Sequence, residues 1–333
     1  MSRLDINVPA QPDRARWSET RLATAWNSTA GAGIYIHTGR LPSDLDMWWA
    51  QVAAYLPDGQ LCVNRIWGRN ASNVGITTAG LAYTVLEEGW TSTLDSVGQL
   101  TTTTALTARP QGAGGPSVPL RWEAVGTAAA PYWDMYGDEQ ESRLSHAGDA
   151  HNQRAYRTSG TLCVAGSEYP LDGIGMTDHS SGVRALEHWY RHRFLVVVAA
   201  DWVAHLIGVD TSPGTASRPV GAFYRGGDRH SITRFELPHV SDLTGGPIAG
   251  RLEFATAAGE SFSFDTTLEH ALPVTLTNNN DNINGVDWDD PGNPVICIEG
   301  QARLSDTDGA TVAHCFHERS ARRDALAPNK DPR

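Results

Sequence analysis

Cysteine is scarce and never clustered in this chain: Cys62, Cys163, Cys297 and Cys315 lie far apart, with no CxxC spacing among 333 residues. A thiolate zinc ribbon and a disulfide scaffold are thereby excluded, and buried free thiols are expected. A dinucleotide fingerprint is missing too, because Gly31-Ala-Gly33 is followed by Ile36 where GxGxxG needs its last glycine. No GxxxxGK[ST] run occurs either, so nicotinamide and P-loop chemistry have no support. Nor is there a GxSxG elbow, since Asp178 stands two residues before Ser180.

Positive charge is in short supply: 26 Lys and Arg face 38 Asp and Glu, a formal net charge of −12. A broad nucleic-acid or anionic-membrane footprint needs clustered cations, so neither partner is expected. No window approaches the ~20 apolar residues of a membrane span, and Met1-Ser-Arg-Leu-Asp-Ile-Asn has no signal-peptide core. The expectation is a soluble cytoplasmic protein, with its oligomeric state left open.

Amphipathic helices are the other absence. Turn signals punctuate short β-prone runs: Met47 to Leu56 leads through Pro57-Asp58-Gly59 into Leu61 to Trp67, and Arg251 to Thr256 turns through Ala257 to Glu260 into Ser261 to Asp265. Leu100 to Ala108 reads as a Thr-rich strand, and the apolar run from Arg193 to Val209 as one bent strand or two short ones. The fold class is all-β, mainly antiparallel, as two sandwiches or barrels packed together. The domain-size prior and the aperiodic stretch 131 to 150 put an N-terminal domain at 1–150, a C-terminal domain carrying the Asp-His motif at 151–325, and a tail at 326–333.

What is present in quantity is tryptophan, 11 copies spread along the chain. Large cores, or a pocket for an apolar ligand, would use them. Trp48 and Trp49 must leave opposite faces of their strand, so at most one of them lines any given cavity.

The densest chemistry runs from Gly173 to Trp189 and includes Asp178, His179, Ser180, Ser181 and Arg184. These residue types suit proton transfer. Neighbours on a regular strand face opposite ways, so Asp178 and His179 share a pocket only across a bulge or turn, which Gly175 and Gly182 would permit. Further on, His314-Cys-Phe-His317-Glu318 would place His314 and Glu318 on one strand face and Cys315 and His317 on the other. Its donors do not converge, and no metal is expected.

Tyr156-Arg-Thr-Ser-Gly160, Leu171-Asp-Gly173-Ile-Gly175, Asp178-His179-Ser180 and Gly182-Val-Arg184 together resemble a signature of the lipocalin-like proteins related to carotenoid 1,2-hydratase and AttH. That signature is Gly-x-Gly-x-Arg-Asp-His-Ser-Trp-Gly-x-Arg. Thr177 replaces its Arg and Ser181 its Trp. Gly33-Ile-Tyr-Ile-His37-Thr-Gly39-Arg40 and the Leu56-Pro-Asp-Gly59 hairpin are similar to that group as well. The resemblance implies two lipocalin-like β-domains and cofactor-free acid/base chemistry on greasy unsaturated substrates: hydration, dehydration, isomerisation or cyclisation.

On this reading Asp178 is the proton donor, His179 activates water or orients Asp178, and Glu318 is a second carboxylate. Tyr35, His37, Trp48, Trp49, Ser181, Arg184 and Trp202 are the candidate contacts to a hydrophobic small molecule such as a terpenoid, steroid or polyketide. No cofactor is expected. A non-catalytic carrier of a hydrophobic metabolite, or a cyclase using the same pocket, would need the same apolar cavity.

Overall fold

The computed structural model describes residues 5–41, 44–70, 72–78, 80–110, 115–138, 148–183, 189–214, 218–237, 250–277, 281–290, 292 and 295–325. Strand follows strand, as the alternating pattern and frequent turn residues require. The first unit holds β1 (Trp17–Asn27), β2 (Ala32–Leu41), β3 (Asp44–Tyr55), β4 (Gln60–Arg69), β5 (Gly75–Thr78), β6 (Leu81–Leu86), β7 (Gly89–Thr102), β8 (Ser117–Ala128), β9 (Trp133–Asp134), β10 (Ala150–Val164), β11 (Ser167–Pro170) and β12 (Gly173–Val183).

Its sheet closes on itself. Around the ring the order is β1, β2, β3, β4, β7, β8, β10, β12 and back to β1, antiparallel at every step. Eight strands leave a lumen that side chains fill or that holds one small ligand. Ala23, Ile34, Val52, Trp90, Trp122 and Tyr156 belong to the apolar cluster within it.

The second unit contains β13 (Arg191–Ala199), β14 (Trp202–Asp210), β15 (Arg218–Arg225), β16 (Asp228–Glu236), β17 (Gly250–Thr256), β18 (Ser261–Leu276), β19 (Ile283–Asn284), β20 (Val295–Ser305) and β21 (Thr311–Arg322). Here too the ring is complete: β13 to β18 in sequence, then β20, β21 and back to β13. Both units are therefore antiparallel eight-stranded barrels, and the all-β expectation holds. No helix among the described residues is long and apolar enough to cross a membrane.

Two local expectations change, and one with two forms is decided. The Thr-rich run does not stay extended, because Thr103–Ala108 forms a short helix, α1, after β7 ends at Thr102. The apolar run from Arg193 takes the second of its two expected forms, as two strands, β13 and β14, joined through Ala200 and Asp201. The division between units falls after Arg184, with 103–113 also in the second unit and 279–282 in the first, and not at residue 150. The reason is ring closure: β10 and β12 are the strands that close the first barrel against β8 and β1, so the Asp-His motif belongs to that barrel. The expected tail at 326–333 lies outside the described residues.

Candidate functional site

Strand β12 carries the chemistry, and its register decides where each group goes. It pairs without a slip against β1 from Ile174 to Val183 and against β10 from Gly173 to Ser181. No bulge interrupts it, so alternation is strict and the two neighbours in the motif part company. Gly175 serves close approach: a Cβ there would stand 2.1 Å from the Thr24 carbonyl oxygen.

His179 turns into the lumen, in one row with Asn152, Arg21 and Thr38. The adjacent inward row contains Ser181, Glu19, Arg40 and Trp48. Both imidazole nitrogens are engaged, Nδ1 with Asp5 Oδ1 at 2.6 Å and Nε2 with Glu19 Oε1 at 2.9 Å. Two carboxylates can both be satisfied only by two N–H donors, which is the imidazolium form. Burial and the charge of Arg21 lower the His179 pKa, but the charge and hydrogen bond of Asp5 and the bond to Glu19 outweigh them, and the net shift is upward.

Asp5 shows the converse: burial raises its pKa, yet His179 and Arg21 bring it down to about 2. Arg21 holds Asp5 through Nη1 at 2.7 Å, and Arg40 holds Glu19 through Nε at 2.8 Å. Arg40 also lies over two indoles, 5.5 Å from the Trp17 ring centre and 5.3 Å from that of Trp48. Charges alternate through Arg21, Asp5, His179, Glu19 and Arg40, so each buried charge has a neighbour of opposite sign. Beside it lies a cavity of about 820 Å³, whose walls include His179, Ser181, Asn152, Tyr132 and the N-terminal segment from Asp5 to Pro9.

Asp178 leaves the opposite, outer face. One row there reads Gln153, Asp178, Leu22, His37 and Gln51 across five strands. Asp178 Oδ2 accepts from His151 Nε2 in a short hydrogen bond and from Gln153 Nε2 at 3.0 Å. The other ring nitrogen, His151 Nδ1, is buried and has no hydrogen-bond partner. An imidazole held by a carboxylate at one nitrogen and unbonded at the other is the arrangement of a general base.

Tyr35, His37 and Trp49 occupy this same face. The Tyr35 hydroxyl lies 3.2 Å from His37 Nδ1, Asn282 Nδ2 donates to that nitrogen at 2.8 Å, and Trp49 meets the His37 ring edge-on at 5.2 Å. His37 stands two strands from Asp178, about 10 Å at ordinary strand spacing.

The expected residues thus fall into four places. Asp178, Tyr35, His37 and Trp49 share the outer face of the first barrel, whereas His179, Ser181 and Trp48 face its lumen. Trp202 belongs to the second barrel, stacked on Phe223 and Phe264 at 5.7 and 5.9 Å in its apolar core. Glu318 lies on the outer face of that barrel, directly opposite Glu299 in register. Arg184 lies outside the described residues.

Among the described residues, Cys297, Glu299 and Glu318 could hold a metal ion, with one ligand atom each within 4.8 Å of the others. Burial, then the two carboxylates, push the Cys297 pKa well up and keep the thiol protonated. His192 Nδ1 bonds Glu318 at 3.1 Å. Asp5, Glu19, Arg21 and His151 were not singled out in the sequence. They flank no motif: strand register brings Glu19, Arg21 and His151 to Asp178 and His179, and the path of the N-terminal segment brings Asp5.

The family model for a domain of unknown function, DUF7064, matches residues 4–287. No curated protein sequence matches the chain. Among solved structures, NE1406 of Nitrosomonas europaea, assigned as an AttH protein, superposes with a TM-score of 0.57 at 12% identity, covering 94% of this chain and 95% of that one. CghA gives 0.53 at 13% identity, over 95% and 90% of the two chains. Kievitone hydratase from Nectria haematococca gives 0.52 at 9% identity, over 92% and 89%. At such identities the likeness is one of fold.

Proposed function

The chain belongs to the DUF7064 family, and we propose that it is an acid/base enzyme, needing no cofactor, that adds or removes water on a hydrophobic unsaturated substrate. The observation that carries this reading is the Asp178–His151 pair, with His151 Nδ1 buried and without a hydrogen-bond partner on the face that also presents Tyr35, His37 and Trp49. The fold shared with a kievitone hydratase and the resemblance to carotenoid 1,2-hydratase support the same reaction class.

Asp178 accepts both of its named hydrogen bonds, which suits a carboxylate that orients His151 and stabilises its cation. The proton carrier is then His151. In the hydration direction, Nδ1 takes a proton from water as the oxygen bonds to one alkene carbon. The imidazolium then returns that proton to the other carbon, so the balance closes without an external acid. His179 is poorly suited to the task, because releasing a proton from either nitrogen costs a buried carboxylate one of its hydrogen bonds.

The test uses kievitone and a set of terpenoid and polyketide alkenes in heavy-oxygen water, with incorporation read by mass spectrometry. Asp178→Asn and His151→Gln should each lower incorporation at least ~100-fold while the protein stays folded. Full turnover in both variants would remove the pair from the reaction.

A second reading is a carrier of a hydrophobic metabolite, favoured by the cavity of about 820 Å³ in the first barrel. That volume lies within the range of small-molecule sites. Ser181→Phe, which would narrow it, should weaken ligand retention under this reading and leave turnover at His151 intact under the first.

A further inference from the structure

We propose that the lumen of the second barrel binds an oxyanion, the carboxylate of an apolar organic acid or a phosphate, on Arg319 and His317. Strand β21 alternates strictly against β13, so Cys315, His317 and Arg319 point inward while Phe316 and Glu318 point out. Arg319 is 1% exposed and His317 is 2% exposed. Neither Arg319 Nη2 nor either nitrogen of the His317 ring has a hydrogen-bond partner. Among the described residues no carboxylate lies within ion-pair distance of Arg319. The one that faces the lumen nearby, Asp210, lies 3.6 Å from Arg193.

Arg193 aggravates the imbalance. It sits directly opposite Arg319 in the register and donates through Nη1 to the Leu237 carbonyl oxygen at 2.9 Å. Among the described residues, Arg193 and Arg319 stand side by side, and the carboxylate of Asp210 lies within ion-pair distance of Arg193 alone. A buried, uncompensated cation is among the costliest arrangements a fold can hold, and water can satisfy its N–H groups without neutralising it.

A ligand oxyanion would do both. Burial has already pulled the Arg319 pKa down to about 10, and it pushes His317 well below its usual value. At neutral pH the site therefore offers a charged guanidinium and a neutral imidazole with one N–H to donate. The surrounding lumen is apolar, with Leu195 and Ile298 flanking the pair.

The test is thermal unfolding and calorimetric titration of the full chain with octanoate, inorganic phosphate and, as an uncharged control, octanol. Saturable binding and a raised Tm are expected with octanoate, with phosphate or with both, and not with octanol. Octanoate alone would identify an organic acid, and phosphate alone the free ion. Arg319→Met should abolish the response and, without ligand, melt no lower than the ligand-free parent, since it removes an unpaired charge. No response of the parent to either anion, an equal response to octanol, or undiminished binding in Arg319→Met would each overturn the proposal. Should Arg319→Met not fold, the titrations of the parent decide alone.

Discussion

Asp178 and His179 are consecutive in β12, yet their side chains stand on opposite sides of the barrel wall, one bonded to His151 outside and the other to Asp5 and Glu19 within. The separation assigns the two groups different work. His179 is saturated at both nitrogens and locks the N-terminal segment into the lumen. Asp178 leaves its imidazole partner one unbonded nitrogen.

Asp178→Asn and His151→Gln should therefore act on turnover and His179→Gln on stability. Melting temperature and turnover measured on the same preparations separate the two effects. Removing His179 leaves Asp5 and Glu19 without their shared donor, and a loss of about 3 kcal/mol is expected.

The His179 contribution should depend on pH in a definite direction. Its folded pKa lies above the model value of 6.5, so the folded state holds the extra proton and the stabilisation is complete below that pH. It is lost as pH rises through the folded value. Asp5 behaves oppositely: its pKa falls from 3.8 to about 2, so its contribution is complete above 3.8 and is lost as pH drops towards 2. Denaturant midpoints of the parent and of His179→Gln should thus converge as the solution becomes alkaline. A gap that widens above neutrality would show that the imidazole is held neutral.

Arg40→Met should cost about 3 kcal/mol, because it strips Glu19 of its guanidinium while leaving the carboxylate buried. Arg40→Lys should recover only part of this. An ammonium keeps the charge but can neither reproduce the guanidinium's bonds to Glu19 and Val8 nor stack between Trp17 and Trp48. Chemical denaturation of both variants checks the order.

Gly175→Ala should destabilise by ~1–3 kcal/mol, since the new methyl would meet the Thr24 carbonyl oxygen and Thr158 Cγ2. If Gly175 instead hinged a bulge that brings Asp178 and His179 together, the variant would lose activity before stability. Melting and turnover measured together distinguish these outcomes.

The amino-acid sequence by itself determines that this is an antiparallel β-protein with no helical layer, because alternation and turn chemistry are local and period two survives in any register. It also determines that Trp48 and Trp49 diverge and that Asp178 and His179 diverge unless a bulge intervenes, both consequences of the pleat. Tertiary structure alone decided that no bulge intervenes, that β10 and β12 complete the first ring, and that the domain boundary therefore follows Arg184. It alone set His151 beside Asp178 and Asp5 beside His179. The first pairing follows from long-range strand register and ring closure and the second from the path of the N-terminal segment before β1; both are long-range and leave no mark in the spacing of residues along the chain.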